Sequence, residues 1–319
     1  MLMNLEIMFQ FCLVMGVTIA ISSNNWFSIW TGLELSLMSF MPIMSNKLKL
    51  NSESCIKYFI IQSLSSAIMM MGVIMMATMI DSKFMLIMSI MLKLGMSPFH
   101  SWILSMVEGV KYYPILILFT LMKAAPLNMI SYINVNLNLI IMISLMVGSI
   151  SGFNQNSVKK LLSYSSIVNM SFILSCINNY TIWATYLILY SISMLMLISI
   201  LMKLNLNFIN QMMFNNYSNS IKLTPWIIML SMGGFPPLIG FFAKLLVIKY
   251  IILTKNIFML TFMITMSLIT MFFYIRMMFI SMMFFHNIPK WMTTMKFKFN
   301  SYMLISTLTS PMILFNLKS

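Results

Sequence analysis

Charge is what this sequence has least of. Charged residues make up 8% of its 319 positions, with only five acids among them, where a soluble domain carries about 25%. The chain cannot cover a water-facing surface. Cysteine is nearly absent: Cys12, Cys55 and Cys176 stand alone, with no CxxC and no paired spacing. That excludes an iron–sulfur, zinc or disulfide framework. The two histidines, His100 and His286, are far apart. No glycine-rich cradle and no aromatic platform is present, so phosphate or sugar recognition has no support. Arginine occurs once, as Arg276, and alanine, glycine and proline are scarce.

What fills the space is apolar. Hydrophobic residues reach 61% and the mean hydropathy is +0.95. The apolar runs are long, which means spanning helices rather than a barrel. Met, Ile, Asn, Lys, Phe and Tyr are favoured together, with 42 methionines. This usage fits an AT-rich genome with an extra methionine codon, as in animal mitochondria. A Met-rich core is the plain alternative, since methionine fills irregular gaps, but it gives no reason for a single arginine. Met1–Ser22 runs straight into a spanning segment, with Glu6 and no basic cluster, so no cleaved leader is expected.

Runs of about 20 apolar residues predict an all-α polytopic membrane protein with eleven spans. They fall at 3–22, 26–45, 56–80, 84–105, 112–132, 137–153, 158–177, 182–203, 223–253, 257–285 and 301–317. Connections are short, so no soluble domain is expected. The net charge of +14 does not mark a nucleic-acid surface, because the lysines are scattered through loops. Even-numbered loops hold Lys47, Lys49, Lys57, Lys111, Lys159, Lys160, Lys203, Lys222, Lys290, Lys296 and Lys298; odd loops and the C-terminal end hold Lys83, Lys249, Lys255 and Lys318. Eleven against four sets an orientation, with the N-terminus on the positive side.

Two spans are interrupted. The fourth contains Gly95 and Pro98, and the ninth contains Gly233-Gly234-Phe235-Pro236-Pro237-Leu238-Ile239-Gly240. Proline lacks an N–H and crowds the turn before it. The breaks lie five spans apart, so the second copy is inverted relative to the first. Such a pair points to two inverted five-helix repeats, helices 1–5 and 6–10, with helices 4 and 9 discontinuous and the site at the midplane. The expected domains are 1–133 for the first repeat, 134–285 for the second, and 286–319 for a loop and last helix.

Four charges lie within spans. Lys93 and Lys244 each accompany a break, Lys123 precedes Pro126, and Glu34 is the one carboxylate well inside a span. Each costs about 2.5–3.5 kcal/mol at mid-bilayer, roughly 10–14 kcal/mol for four isolated charges. Burial and a neighbouring opposite charge act in opposite senses on proton affinity. A Glu–Lys pair with further buried lysines is thus a set of groups that a moving neighbour can switch, which is proton-relay chemistry. Plain alternatives stand beside it. Lys93 and Lys123 can snorkel to an interface, Glu34 can be a neutral packing residue, and Lys244 can cap carbonyls freed by its break. Lys159 and Lys160 read as topology anchors. His100 reads equally as structural or as a proton carrier. Trp26, Trp30 and Trp102 read as interface or packing aromatics.

At these residues the sequence resembles the NADH–ubiquinone oxidoreductase chain 2 family, arthropod-like, one of the antiporter-like subunits of mitochondrial complex I. The blocks are WTGLELSLMSFMPIM at 30–44, LKLGMSPFHSW at 92–102, LMKAAPL at 121–127, NQNSVKKLLSYSSIVNMSFIL at 154–174 and GGFPPLIGFFAKLLVI at 233–248. They keep the family's order, while the region from about Phe284 matches weakly. The resemblance implies a proton-translocating subunit of the NADH:ubiquinone reductase in the mitochondrial inner membrane. Its N-terminus would face the matrix and its C-terminus the intermembrane space. It implies a switchable Glu34–Lys93 pair, Lys123 as central relay and Lys244 as terminal donor. NADH, FMN, iron–sulfur clusters and ubiquinone would belong to partner subunits, with no cofactor or metal in this chain. Partners would be other membrane-arm subunits, neighbouring antiporter-like ones included, and phospholipids, with no nucleic acid. Two departures stand out. Asn169 takes a position where the family typically has histidine, and Trp102 is followed by Ile103-Leu104-Ser105 rather than x-P-E. The rivals are a stand-alone cation/proton antiporter on the same fold and a structural spacer whose charges are relics.

Overall fold

In hydrocarbon no water meets an unpaired backbone amide, so a chain this apolar satisfies its backbone within helices. The computed structural model describes residues 2–45, 49–78, 82–133, 135–211, 219–236 and 238–283. Thirteen helices form among them: α1 Leu2–Ser22, α2 Trp26–Met44, α3 Lys49–Ala77, α4 Lys83–Leu94, α5 Ser101–Gly109, α6 Tyr112–Phe119, α7 Leu121–Tyr132, α8 Asn138–Phe153, α9 Val158–Ser175, α10 Tyr180–Leu204, α11 Asn219–Gly233, α12 Ile239–Leu253 and α13 Ile257–Met283. The described residues contain no strand, only an isolated bridge between Ser157 and Phe208. Among the described residues, six spans are long and apolar enough to cross a membrane: Leu5–Ser22, Trp26–Met44, Lys49–Ala77, Tyr112–Tyr132, Tyr180–Leu204 and Ile257–Met277. The eleventh expected span, 301–317, lies outside the described residues, as do His286 and Pro237.

Two boundaries differ from expectation. α3 begins at Lys49 rather than residue 56. Its first turns are polar and invisible to hydropathy, yet Asn51 and Ser54 are buried. Lys49 and Lys57 therefore sit on the helix, not in a loop. The expected continuous span 112–132 is interrupted at Thr120, whose φ and ψ are −114° and −80°. Pro126 lies inside α7 and crowds the carbonyl four residues before it, that of Met122, which strains the helix upstream. Thr120 closes the bend, donating its hydroxyl to Leu116 O at 2.7 Å.

The chain divides into two compact units, Met1–Ser144 and Leu145–Ser319. In the first, α1 and α2 pack so closely that a Cβ on Gly16 would lie 2.8 Å from Gly32 O; small residues permit such approach between membrane helices. α3 packs on α2, α4 and α5, and α7 on α1, α4 and α6. The Asn128 amide ties α7 to the end of α1 through Ile21 O at 3.2 Å.

In the second unit, α9 is buried on all sides from residue 161 to 174, with α10, α12 and α13 against it. Arg276 on α13 donates Nη2 to Gln155 O at 2.7 Å and lies 5.4 Å over the Phe153 ring. This pins α13 to the α8–α9 connection.

Candidate functional site

The first break is built by glycine before proline acts. α4 ends at Leu94, and Gly95 takes the left-handed conformation at φ 64°. Gly95 N–H bonds Leu92 O and Met96 N–H bonds Met91 O, at 3.2 and 3.1 Å, a Schellman closure. Beyond the break the Trp102 indole donates to Leu92 O at 3.1 Å. Trp102 is thus a polar clamp across the break as well as a packing aromatic.

Lys93 stands in the last turn of α4, half-buried. Lys123, on α7, is 3% exposed, so it does not snorkel. Its Nζ has no hydrogen-bond partner among the described residues and lies 5.1 Å over the Phe119 ring. Both lysines line one small cavity. Ser36, Tyr58 and Gln62 add polar groups to its wall, and Leu118, Met122 and Pro126 close the apolar side. The Tyr58 hydroxyl is likewise buried without a partner. Phe40 and Trp102 hold its ring, at 5.2 and 6.0 Å between centroids. Glu34 is half-buried on α2 and does not line the cavity, though Leu33 beside it and Ser36 and Leu37 on the same helix do.

The fold therefore gathers Lys93 and Lys123 at one cavity, with Glu34 at its edge. A cavity holding a buried ammonium and a buried phenol, both unpartnered, is a place for water, because such groups are rarely left unsatisfied. His100 is elsewhere: its Nδ1 faces Pro98 O at 3.2 Å, within its own turn.

Lys244 belongs to the second unit. α11 stops at Gly233 and α12 starts at Ile239. The Lys244 ammonium turns back over this gap and donates to Gly233 O at 2.7 Å. It is 7% exposed and lies 5.9 Å from the Phe172 ring. Gly234 has φ 86°, and a Cβ there would meet Lys244 Cδ at 2.9 Å and Nζ at 3.0 Å. Glycine thus provides the turn and the room for the lysine. Lys244 lines a small cavity with Asn169, Tyr186, Tyr190 and Ser193.

Tyr58, Gln62, Tyr186 and Tyr190 carry no flag in a motif. A signal for the first two exists: Asn51, Ser54, Tyr58, Gln62, Ser65 and Ser66 recur at helical spacing in α3, and that polar stripe is its buried face. In lipid a polar stripe faces protein, the reverse of a soluble helix.

Residues 23–83 and 77–270 match the family described as NADH:quinone oxidoreductase/Mrp antiporter, TM. NADH-ubiquinone oxidoreductase chain 2 of Anopheles gambiae is 35% identical over 274 residues, 81% of this chain and 80% of that protein. The Aedes aegypti protein of the same name is 35% identical over 316 residues, 94% of this chain and 92% of its own length. The chain belongs to the NADH-ubiquinone oxidoreductase chain 2 family. The fold of this family member is similar to a chain in the structure of respiratory complex I from Thermus thermophilus with bound aureothin. The TM-score is 0.78 at 19% identity, covering 95% of this chain and 75% of that one.

Proposed function

We infer that this family member is a proton-translocating membrane-arm subunit of respiratory complex I. Electron transfer from NADH to ubiquinone would proceed in partner subunits, and its energy would move protons across the mitochondrial inner membrane. The observation that carries the reading is the shared cavity. Lys93 and Lys123 line it, the Lys123 ammonium has no partner among the described residues, and Glu34 stands on α2, the helix that gives Leu33, Ser36 and Leu37 to its wall.

A buried ammonium without a counter-ion is costly to keep. A stable fold gains nothing from it, whereas a group that must take up and release a proton requires it. In the relay, movement of Glu34 or of the charge beside it changes how readily Lys93 holds its proton. Lys93 exchanges with Lys123 through water in the cavity, and Lys244 serves as the terminal donor of the second unit. The two interrupted spans around Lys93 and Lys244 belong to two inverted five-helix repeats. The lysine-rich loops support an N-terminus in the matrix and a C-terminus in the intermembrane space. NADH, FMN, iron–sulfur clusters and ubiquinone lie in the partner subunits, which include neighbouring antiporter-like ones.

Proton pumping by enzyme carrying Lys93→Met or Lys123→Met decides the matter. Each variant is expected to assemble and to lose most coupled turnover. An unchanged proton-to-electron ratio and rate in both would overturn the relay. The family description also names an Mrp antiporter, which favours one second reading, a stand-alone cation/proton antiporter. Purification as a free chain that exchanges Na⁺ for H⁺ would support it against the complex I role.

A further inference from the structure

Beside Lys244 the second unit buries hydroxyl groups that the four-residue relay does not use. The covered stretch of α9 holds Ser165, Ser166 and Asn169. Ser165 donates its hydroxyl to Leu162 O at 2.8 Å and Ser166 to Ser163 O at 2.7 Å. Their donors are committed to the helix while their oxygens keep acceptor capacity. Facing them, Tyr186 of α10 donates its hydroxyl to Asn169 Oδ1 at 2.9 Å. One turn along α10, Tyr190 is 4% exposed, and its hydroxyl has no hydrogen-bond partner among the described residues. Ser166 stands near enough to interact with that hydroxyl without a hydrogen bond of ordinary geometry, and Tyr186 and Tyr274 are its other polar neighbours. Tyr274, 1% exposed, has Ser165 beside it, and its hydroxyl is also without a partner.

Tyr190, Tyr186, Asn169 and Lys244 line the same cavity. Asn169 fills the position at which the resemblance leads one to expect a titratable histidine. An amide cannot carry a proton, but it fixes the direction of a hydroxyl that bonds to it. The unpartnered phenol fits a group that hands protons on, since a hydroxyl accepts one proton as it releases another.

We propose that Lys244 exchanges its proton through a water held on the Tyr190 hydroxyl, so that neutral hydroxyls replace a histidine in the second unit, with Asn169 as the positioning residue for Tyr186. This rests on the relay reading above. In the step, one N–H bond of the Lys244 ammonium breaks and one O–H bond forms on the water. The water gives a proton to the Tyr190 oxygen as the Tyr190 hydroxyl proton passes, on the far side, to a second water held among the Ser165, Ser166 and Tyr274 oxygens, which becomes hydronium and carries it on. The first water and the tyrosine end unchanged and neutral. The lysine ends neutral, and one proton has moved past Tyr190.

The test uses the whole complex in liposomes, with coupled turnover and pumping measured in H₂O and D₂O for Lys244→Met, Tyr190→Phe and Asn169→Leu. Tyr190→Phe keeps the ring and removes one oxygen. It is expected to lower coupled turnover about tenfold, less than the hundredfold or more of a fully irreplaceable proton-transfer group, and to enlarge the solvent isotope effect. Asn169→Leu is expected to enlarge that effect too, which a loss of packing alone would not do. Parent-like turnover and isotope effect in Tyr190→Phe, beside an impaired Lys244→Met, would overturn the hydroxyl path and leave the relay standing. An unimpaired Lys244→Met would overturn both. Should Tyr190→Phe fail to assemble, a high-resolution map of the unmodified complex decides. Density for water within hydrogen-bond distance of the Tyr190 oxygen supports the path, and a dry phenol overturns it.

Discussion

At the scale of single residues, two buried lysines in similar hydrocarbon have opposite bonding. Lys123 has no hydrogen-bond partner among the described residues and only the Phe119 ring near its charge. Lys244 gives a hydrogen bond to Gly233 O. Replacing each with methionine, which matches the aliphatic stem, therefore has different consequences for stability. Lys123→Met removes an unpartnered buried charge and is expected to leave the thermal midpoint of the purified complex unchanged or raised. Lys244→Met leaves the Gly233 carbonyl without its donor, a loss of about 1–3 kcal/mol, and is expected to lower it. The midpoint is followed as loss of this chain from the assembly on heating. A lower midpoint for Lys123→Met than for Lys244→Met would contradict the bonding described. Glu34, Lys93, Lys123 and Lys244 were all legible in the sequence, because a charge inside an apolar run is conspicuous. That Lys93 and Lys123 share a cavity was not. It depends on the side-by-side packing of α4 and α7, whose lysines are 30 residues apart in number.

At the scale of elements, the helix interruptions differ in how they are encoded. Those at Gly95 and at Gly233-Gly234 rest on residue types that sequence makes visible, and both glycines with positive φ sit beside a lysine. The bend at Thr120 has neither glycine nor proline at it, the nearest proline lying six residues further on inside a helix that continues past it. Residue type alone does not place such a bend. Gly95→Ala forces a left-handed conformation on a residue with a Cβ, which costs about 1–2 kcal/mol, and points that Cβ into the Ile103 side chain. Reduced assembly on native gels is expected. Gly234→Ala acts on function as well, because the new methyl meets Lys244 at its Cδ and Nζ and drives the ammonium off Gly233 O. Partial assembly with loss of pumping beyond the loss of assembled enzyme is expected. Pumping proportional to the amount assembled would show that the Lys244 position is unimportant.

At the scale of the whole molecule, the orientation proposed above rests on where the lysines are not. The sequence assigns eleven lysines to even loops and their span ends against four to odd ones, and hydropathy cannot give that ratio because it ignores sign. The α8–α9 connection lies in an even loop, next to Lys159 and Lys160, and Asn154 in it is exposed. The α12–α13 connection lies in an odd loop, and Asn256 in it is exposed. With Cys12, Cys55 and Cys176 replaced by serine or alanine, one cysteine at either position reports its side to a membrane-impermeant thiol reagent. Asn154→Cys is expected to react in inverted inner-membrane vesicles and to be protected in right-side-out mitoplasts. Asn256→Cys is expected to behave in the opposite way. The two positions are separated by three expected spans, an odd number, so labelling from the same side would mean that the count between them is wrong. Reversed labelling of both would keep the count and refute the charge rule as the source of orientation. Either result bears on the relay, because the side on which Lys159 and Lys160 lie fixes the compartment at that end of the hydroxyl-lined α9.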